Sequence, residues 1–172
     1  MKKIILLGYM GSGKSTVGKL LSKSIGYNSL DLDKVIETAQ GLSVSKIFEK
    51  HGELYFRKLE HQILKEILRT EDDAIISLGG GTPCYSNNME LFKDKNIITI
   101  YLSCSVDELF ARLNFNKSKR PLIASMSDAE LKEYIAKHLF ERSVFYNQAQ
   151  IKINCSGKTR ENIVDEIRKN LL

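Results

Sequence analysis

KKIILLGYMGSGKSTVGKLL, residues 2–21, is the stretch whose reading decides the fold. The apolar run Ile4-Ile5-Leu6-Leu7 reads as a buried strand, and Val17, Leu20, Leu21 and Ile25 recur at helical spacing. Between them lies GYMGSGKS, residues 8–15, a complete G-x-x-x-x-G-K-S sequence in the strand-loop-helix context that a phosphate-binding loop requires. Gly8, Gly11 and Gly13 let the backbone turn tightly, so that successive N–H groups face an anion at the start of the next helix. Lys14 can then reach the outer phosphates of a nucleotide, and the Ser15 hydroxyl can ligate Mg²⁺. The bland alternative, a glycine-rich turn that binds nothing, does not account for the flanking strand and helix.

The rest of the composition narrows the class. A chain of 172 residues suits one domain with a sizeable core, and 42% apolar with 27% charged residues is ordinary for a soluble globular protein. No apolar run approaches the ~20 residues of a membrane span, and the first apolar stretch is too short for a secretory signal. Cys84, Cys104 and Cys155 are odd in number, far apart in sequence and lack C-x-x-C spacing, which predicts free thiols in a reducing cytoplasm. The net charge of +5 suits anionic small substrates, and without basic runs interleaved with aromatics no nucleic-acid partner is expected.

Five β-like runs, at 2–7, 27–31, 73–78, 97–102 and 149–153, alternate with helical stretches near 14–25, 33–39, 43–50, 53–69, 86–93, 105–113, 127–146 and 159–171. This alternation predicts a three-layer α-β-α sandwich around a five-stranded parallel sheet, with Thr159 as a helix cap. Ligands of such sheets bind beyond the carboxyl ends of the strands.

Polar clusters gather at those ends. Asp31 and Asp33 close the second strand, and strand alternation sends both to one side. One can hold Mg²⁺ and the other can orient an attacking hydroxyl, against the simpler reading of an Asp helix cap beside a solvated neighbour. Gly79-Gly80-Gly81 follows the third strand and permits close backbone approach to a ligand, or is simply a flexible turn before Thr82-Pro83. Arg57, with Glu60 at i+3, and Arg142 suit bidentate capture of a carboxylate or phosphate. Spacing alone leaves a surface salt bridge equally open for each. Residues 114–122, basic and polar, read either as a lid over a phosphodonor or as an exposed connection.

The ordered set G-Y-M-G-S-G-K-S-T, L-D-L-D, I-F-E-K-H-G-E-L-Y-F-R-K-L-E, G-G-G-T-P, A-R-L, R-P-L-I and E-R-S-V-F-Y-N-Q-A, from residue 8 to about residue 146, resembles the shikimate kinases, a P-loop family of the nucleoside monophosphate kinase-like group. The resemblance implies one small-molecule kinase domain over residues 1–172, with a lid at about 112–124 and an acceptor-binding helical region at about 33–61. It implies γ-phosphoryl transfer from ATP to the 3-hydroxyl of shikimate with Mg²⁺, by a cytoplasmic monomer. Gly11, Ser12, Gly13, Lys14, Ser15 and Thr16 match the nucleotide loop, with Arg112 and Arg160 near the adenine and Arg120 as the lid arginine near the phosphates. Ser15 and Asp31 match the metal-associated pair. Asp33 matches the group facing the acceptor hydroxyls, and Phe48, Phe56, Arg57, Gly79, Gly80, Gly81 and Arg142 match the acceptor pocket. Lys14, Asp33 and Arg120 are the expected catalytic groups. The chain departs from the family pattern at Leu78 directly before the triplet, in its Lys- and Asn-rich lid, and at residues 155–158.

A gluconate- or nucleoside-monophosphate-type kinase shares the loop and lid, but a nucleotide acceptor needs room for a base and cations for a second phosphate. A binding module without transfer activity fits less well, because Lys14, Ser15, Asp31, Asp33 and Arg120 are all present.

Overall fold

The computed structural model describes residues 2–117 and 122–171. Strands β1 (Lys3–Leu7), β2 (Asn28–Asp31), β3 (Ala74–Ser77), β4 (Ile97–Ser103) and β5 (Ile151–Asn154) form one parallel sheet in the order β2-β3-β1-β4-β5. Around it run α1 (Lys14–Ile25), α2 (Leu32–Gln40), α3 (Val44–Arg69), α4 (Asn88–Leu91), α5 (Val106–Phe115), α6 (Asp128–Tyr146) and α7 (Arg160–Leu171). All five residues of β1 are buried although their side chains alternate between faces, so helices must cover both sides of the sheet. The edge strands β2 and β5 keep partly exposed residues, as their polar sequences require.

The topology positions the loop. The chain passes from β3 on one side of β1 to β4 on the other, which opens a crevice at the carboxyl end of β1. The glycine loop enters that crevice. Full burial of Ile5, Leu6 and Leu7, each worth roughly 1.5–3 kcal/mol over exposure, fixes the strand that carries it.

Helix starts follow their caps. Ser43 and Ser105 cap α3 and α5, and Ser127 with Glu130 forms a capping box at the start of α6. Thr159 Oγ1 accepts from Asn162 N at 3.2 Å, as the sequence predicts. Three boundaries differ from expectation. The helices expected at 43–50 and 53–69 are one element with a kink at Gly52, whose φ of 80° and ψ of 171° are open to glycine but hardly to other residues. The helix expected at 86–93 shortens to Asn88–Leu91, because Ser86 and Asn87 take positive φ. Helix α5 runs on to Phe115, absorbing two residues of the expected lid connection. No described helix is long and apolar enough to cross a membrane.

Candidate active site

The loop after β1 is built by its own backbone. Gly11 and Gly13 adopt φ of 83° and 95°, left-handed values that favour glycine, and Gly13 is the N-cap of α1. The N-terminus of α1 is thereby left open to an anion rather than closed by a capping side chain. Lys14 is buried and folds back over the loop, its Nζ donating to Gly8 O at 2.8 Å and Tyr9 O at 3.0 Å. The loop thus holds an ammonium group beside the open N-terminus of α1.

Ser15 and Asp31 meet directly: Ser15 Oγ donates to Asp31 Oδ2 at 2.5 Å, while Asp31 Oδ1 accepts from Lys34 N at 3.3 Å. Asp31 thus caps α2 through one carboxylate oxygen and meets Ser15 through the other. The expectation that strand alternation aligns Asp31 with Asp33 is corrected. β2 ends at Asp31, and Asp33 lies in the first turn of α2. Both still line one cavity of about 300 Å³ with Lys14, Ser15, Leu78, Gly79 and Gly80. Burial raises the Asp33 carboxyl to about 6, with the neighbouring charges of Asp31 and Glu60 adding to the shift. Leu78, the departure noted before the triplet, is buried and contributes apolar wall.

The glycine turn gathers the remaining groups. A Cβ on Gly79 would lie 3.1 Å from Asp33 Oδ1, one on Gly80 would lie 3.4 Å from Arg142 Nη1, and one on Gly81 would lie 2.7 Å from Arg57 Nη2. Three successive residues without side chains thus abut one carboxylate and two guanidiniums. Arg57 and Arg142, which spacing could not connect, belong to one site. Any side chain at Gly81 would displace Arg57.

Arg57 is held on several sides. Its Nη1 donates to Glu60 Oε2 at 2.9 Å, and Glu53 lies 3.4 Å from Nη2. The guanidinium carbon sits 4.1 Å from the Tyr85 ring centroid, 5.2 Å from Phe56 and 5.9 Å from Phe48. Phe48 and Phe56 stack at 4.5 Å. Glu60 is fully buried and also accepts from Thr82 Oγ1 at 2.6 Å, so its charge has both a cation and a hydroxyl partner. The Glu60 contact was legible as an i, i+3 pair. Tyr85 and Thr82 carried no sequence signal beyond lying just after the triplet.

A second cleft, about 980 Å³, shares Gly11, Gly13 and Thr16 with the first and extends to Arg112 and Arg160. Arg112 Nε donates to Glu108 at 2.9 Å and its Nη1 to Gly11 O at 3.2 Å, bracing the loop from α5. Ser12, within the loop, is buried. Arg120 lies outside the described residues. The cysteines that the sequence spreads apart include a neighbouring pair: Ser103 pairs with Asn154, which sets Cys104 and Cys155 side by side. All three cysteines are free. Among the described residues no group of three or more His, Cys, Asp or Glu side chains is placed to hold a metal. Ser15 and Asp31 remain as a pair of hard oxygen donors beside the loop.

The arrangement offers a phosphate cradle, an oxygen-donor pair, a carboxylate of raised pKa and two fixed guanidiniums. Residues 10–172 match the family described as Shikimate kinase. A shikimate kinase of Flavobacterium johnsoniae is 54% identical over 97% of each chain. Among solved structures, the shikimate kinase of Bacteroides thetaiotaomicron superimposes with a TM-score of 0.92 at 36% identity, covering 99% of this chain and 98% of the other. One from Acinetobacter baumannii, in complex with shikimate, gives 0.88 at 29% identity over 99% and 93%. The loop, the aspartates and the glycine turn thus stand in a chain that belongs, nearly from end to end, to the shikimate kinase family.

Proposed function

We propose that the protein transfers the γ-phosphoryl group of ATP to the 3-hydroxyl of shikimate, giving shikimate 3-phosphate and ADP. One observation carries the reading: the turn Gly79–Gly81 abuts a carboxylate and two guanidiniums beside the phosphate loop. That set suits a small acceptor bearing one carboxylate and several hydroxyls. The guanidiniums of Arg57 and Arg142 take the carboxylate, and Asp33 accepts a hydrogen bond from the attacking hydroxyl and orients it.

On the donor side, Lys14 exchanges the carbonyls of Gly8 and Tyr9 for phosphate oxygens. Mg²⁺ fits beside the loop, since it takes hard oxygen donors and needs only one or two carboxylates besides the phosphates, which Ser15 and Asp31 can supply. Bound there, it neutralises charge on the β- and γ-phosphate oxygens. Arg112 and Arg160 line the cleft assigned to the adenosine part of ATP. By resemblance, Arg120 is assigned to the phosphates within a lid at about 112–124, and residues 33–61 to the acceptor region. Catalysis on this plan is positioning and electrostatics, without a covalent intermediate.

The test is coupled ADP release with ATP and Mg²⁺, comparing shikimate, gluconate and AMP. Turnover confined to shikimate is expected. Turnover with gluconate or AMP instead would keep the loop and discard the acceptor assignment.

A further inference from the structure

Tyr146 is the last residue of α6, fully buried, with its ring 5.1 Å from that of Tyr101 on β4. Packing alone would be served by phenylalanine. The hydroxyl has other work: it donates to Gly80 O at 2.5 Å. One helical turn earlier, Arg142 places its Nη1 against Gly80, 3.4 Å from where a Cβ would stand, beside the same hydroxyl. Arginine carries only donors, so toward it the phenolic oxygen can only accept. One oxygen atom therefore stands between the glycine turn and the guanidinium.

The consequence reaches the peptide itself. Gly80 C=O and Gly81 N–H belong to one planar trans unit and point in opposite directions. Tying the carbonyl to Tyr146 turns the Gly81 N–H away from that hydroxyl. The other face of Arg142 rests 5.5 Å from the Tyr9 ring centroid. The Tyr9 hydroxyl is buried without a hydrogen-bond partner among the described residues, so of the two tyrosines flanking Arg142 only Tyr146 engages its hydroxyl in a hydrogen bond.

We propose that Tyr146 is a positioning residue of the acceptor site, its hydroxyl donating to Gly80 and accepting from Arg142 so that the carboxylate-binding guanidinium and the glycine turn are fixed as one unit. This rests on the reading of Arg142 as an acceptor-carboxylate group. Tyr146 touches no substrate on this account and acts through Arg142.

The experiment is a double-mutant cycle in steady-state kinetics with Tyr146→Phe, Arg142→Ala and the pair, with Tm measured for each. Tyr146→Phe is expected to raise the KM for shikimate about tenfold, the scale of losing one hydrogen bond to a charged group, while the KM for ATP stays within about twofold. In the Arg142→Ala background the same change should add less than about twofold. A merely structural tyrosine would either shift both KM values together or act equally in both backgrounds; either result overturns the proposal, as does an unchanged shikimate KM. Should Tyr146→Phe fail to fold, Arg142→Lys decides. It keeps the charge but not the planar fork, and a near-normal shikimate KM would show that a fixed guanidinium is not needed. A wild type that turns over no shikimate overturns the functional reading and this one with it. Normal wild-type turnover with no change in KM for Arg142→Ala removes Arg142 alone from the acceptor site, and Tyr146 with it.

Discussion

The proposed donor and acceptor halves of the site are made in different ways. The donor half is one stretch of chain, Gly8 to Thr16, in which backbone does the holding: Lys14 rests on carbonyls of its own loop, and glycine dihedrals set the cradle. The acceptor half draws Asp33 from α2, Arg57 and Glu60 from α3, three glycines from the end of β3, and Arg142 from α6. Side chains hold side chains there, as Glu60 and Tyr85 hold Arg57. A backbone site can be copied as a short string and will bind whatever phosphate enters it. A side-chain site exists only when the whole fold has formed, and there the choice of acceptor is made.

Substitutions that separate the halves probe this contrast. The largest effect should come from Asp33→Asn, which removes the hydroxyl's acceptor and is expected to lower kcat by about 10²–10⁴-fold while ATP still binds. Its stability effect should run the other way. Asp33 titrates near 6 in the fold against 3.8 normally, so the folded protein holds the proton more tightly, and the contribution is present below pH ~4 and lost as pH rises through ~6. At pH 7 the ionised carboxylate costs about 3 kcal/mol, which Asn relieves. Asp33→Asn should therefore raise Tm at pH 7. In the wild type, kcat/KM should fall as pH drops below about 6. A profile flat to pH 5, or a variant with normal turnover, would remove Asp33 from the chemistry.

Next comes Lys14→Ala, expected to cost about 3 kcal/mol or more in transfer, as loss of a transition-state electrostatic donor does. Single-turnover kinetics would check it, and unchanged rates would leave the donor half without its cation. Smaller still is Arg112→Ala. It loosens the brace on Gly11 and one wall of the nucleotide cleft, and should raise the KM for ATP several-fold with the shikimate KM spared. Titration with a nucleotide analogue would test that, and a shift confined to shikimate would blur the division between the halves.

The same contrast governs what could be read from the sequence. The strand-loop-helix, the parallel sheet and the Thr159 cap were legible because each depends on residues close together in the chain. Of the readings open for the aspartates, the helix cap is seen at Asp31, whose other oxygen accepts from Ser15. Asp33 reached the expected cavity by a helix turn rather than by strand alternation, since the strand stops at Asp31. Hidden from the sequence were the contacts that depend on how distant elements pack. Nothing in the residues around Tyr85 announces a ring under Arg57, and the meeting of Cys104 with Cys155 follows from the β4–β5 register. Tyr146 at i+4 from Arg142 was available as a spacing, but its bond to Gly80 was not.

The most direct test of the two-part account is the pair of KM values in Arg57→Ala, measured with saturating co-substrate in each case. The guanidinium is gripped by Glu60 and three aromatic rings at the glycine turn, away from the loop. The account predicts a shikimate KM raised by about tenfold or more, as for a lost charge-assisted bidentate contact, with the KM for ATP unchanged. A raised KM for ATP with the shikimate KM intact would contradict it.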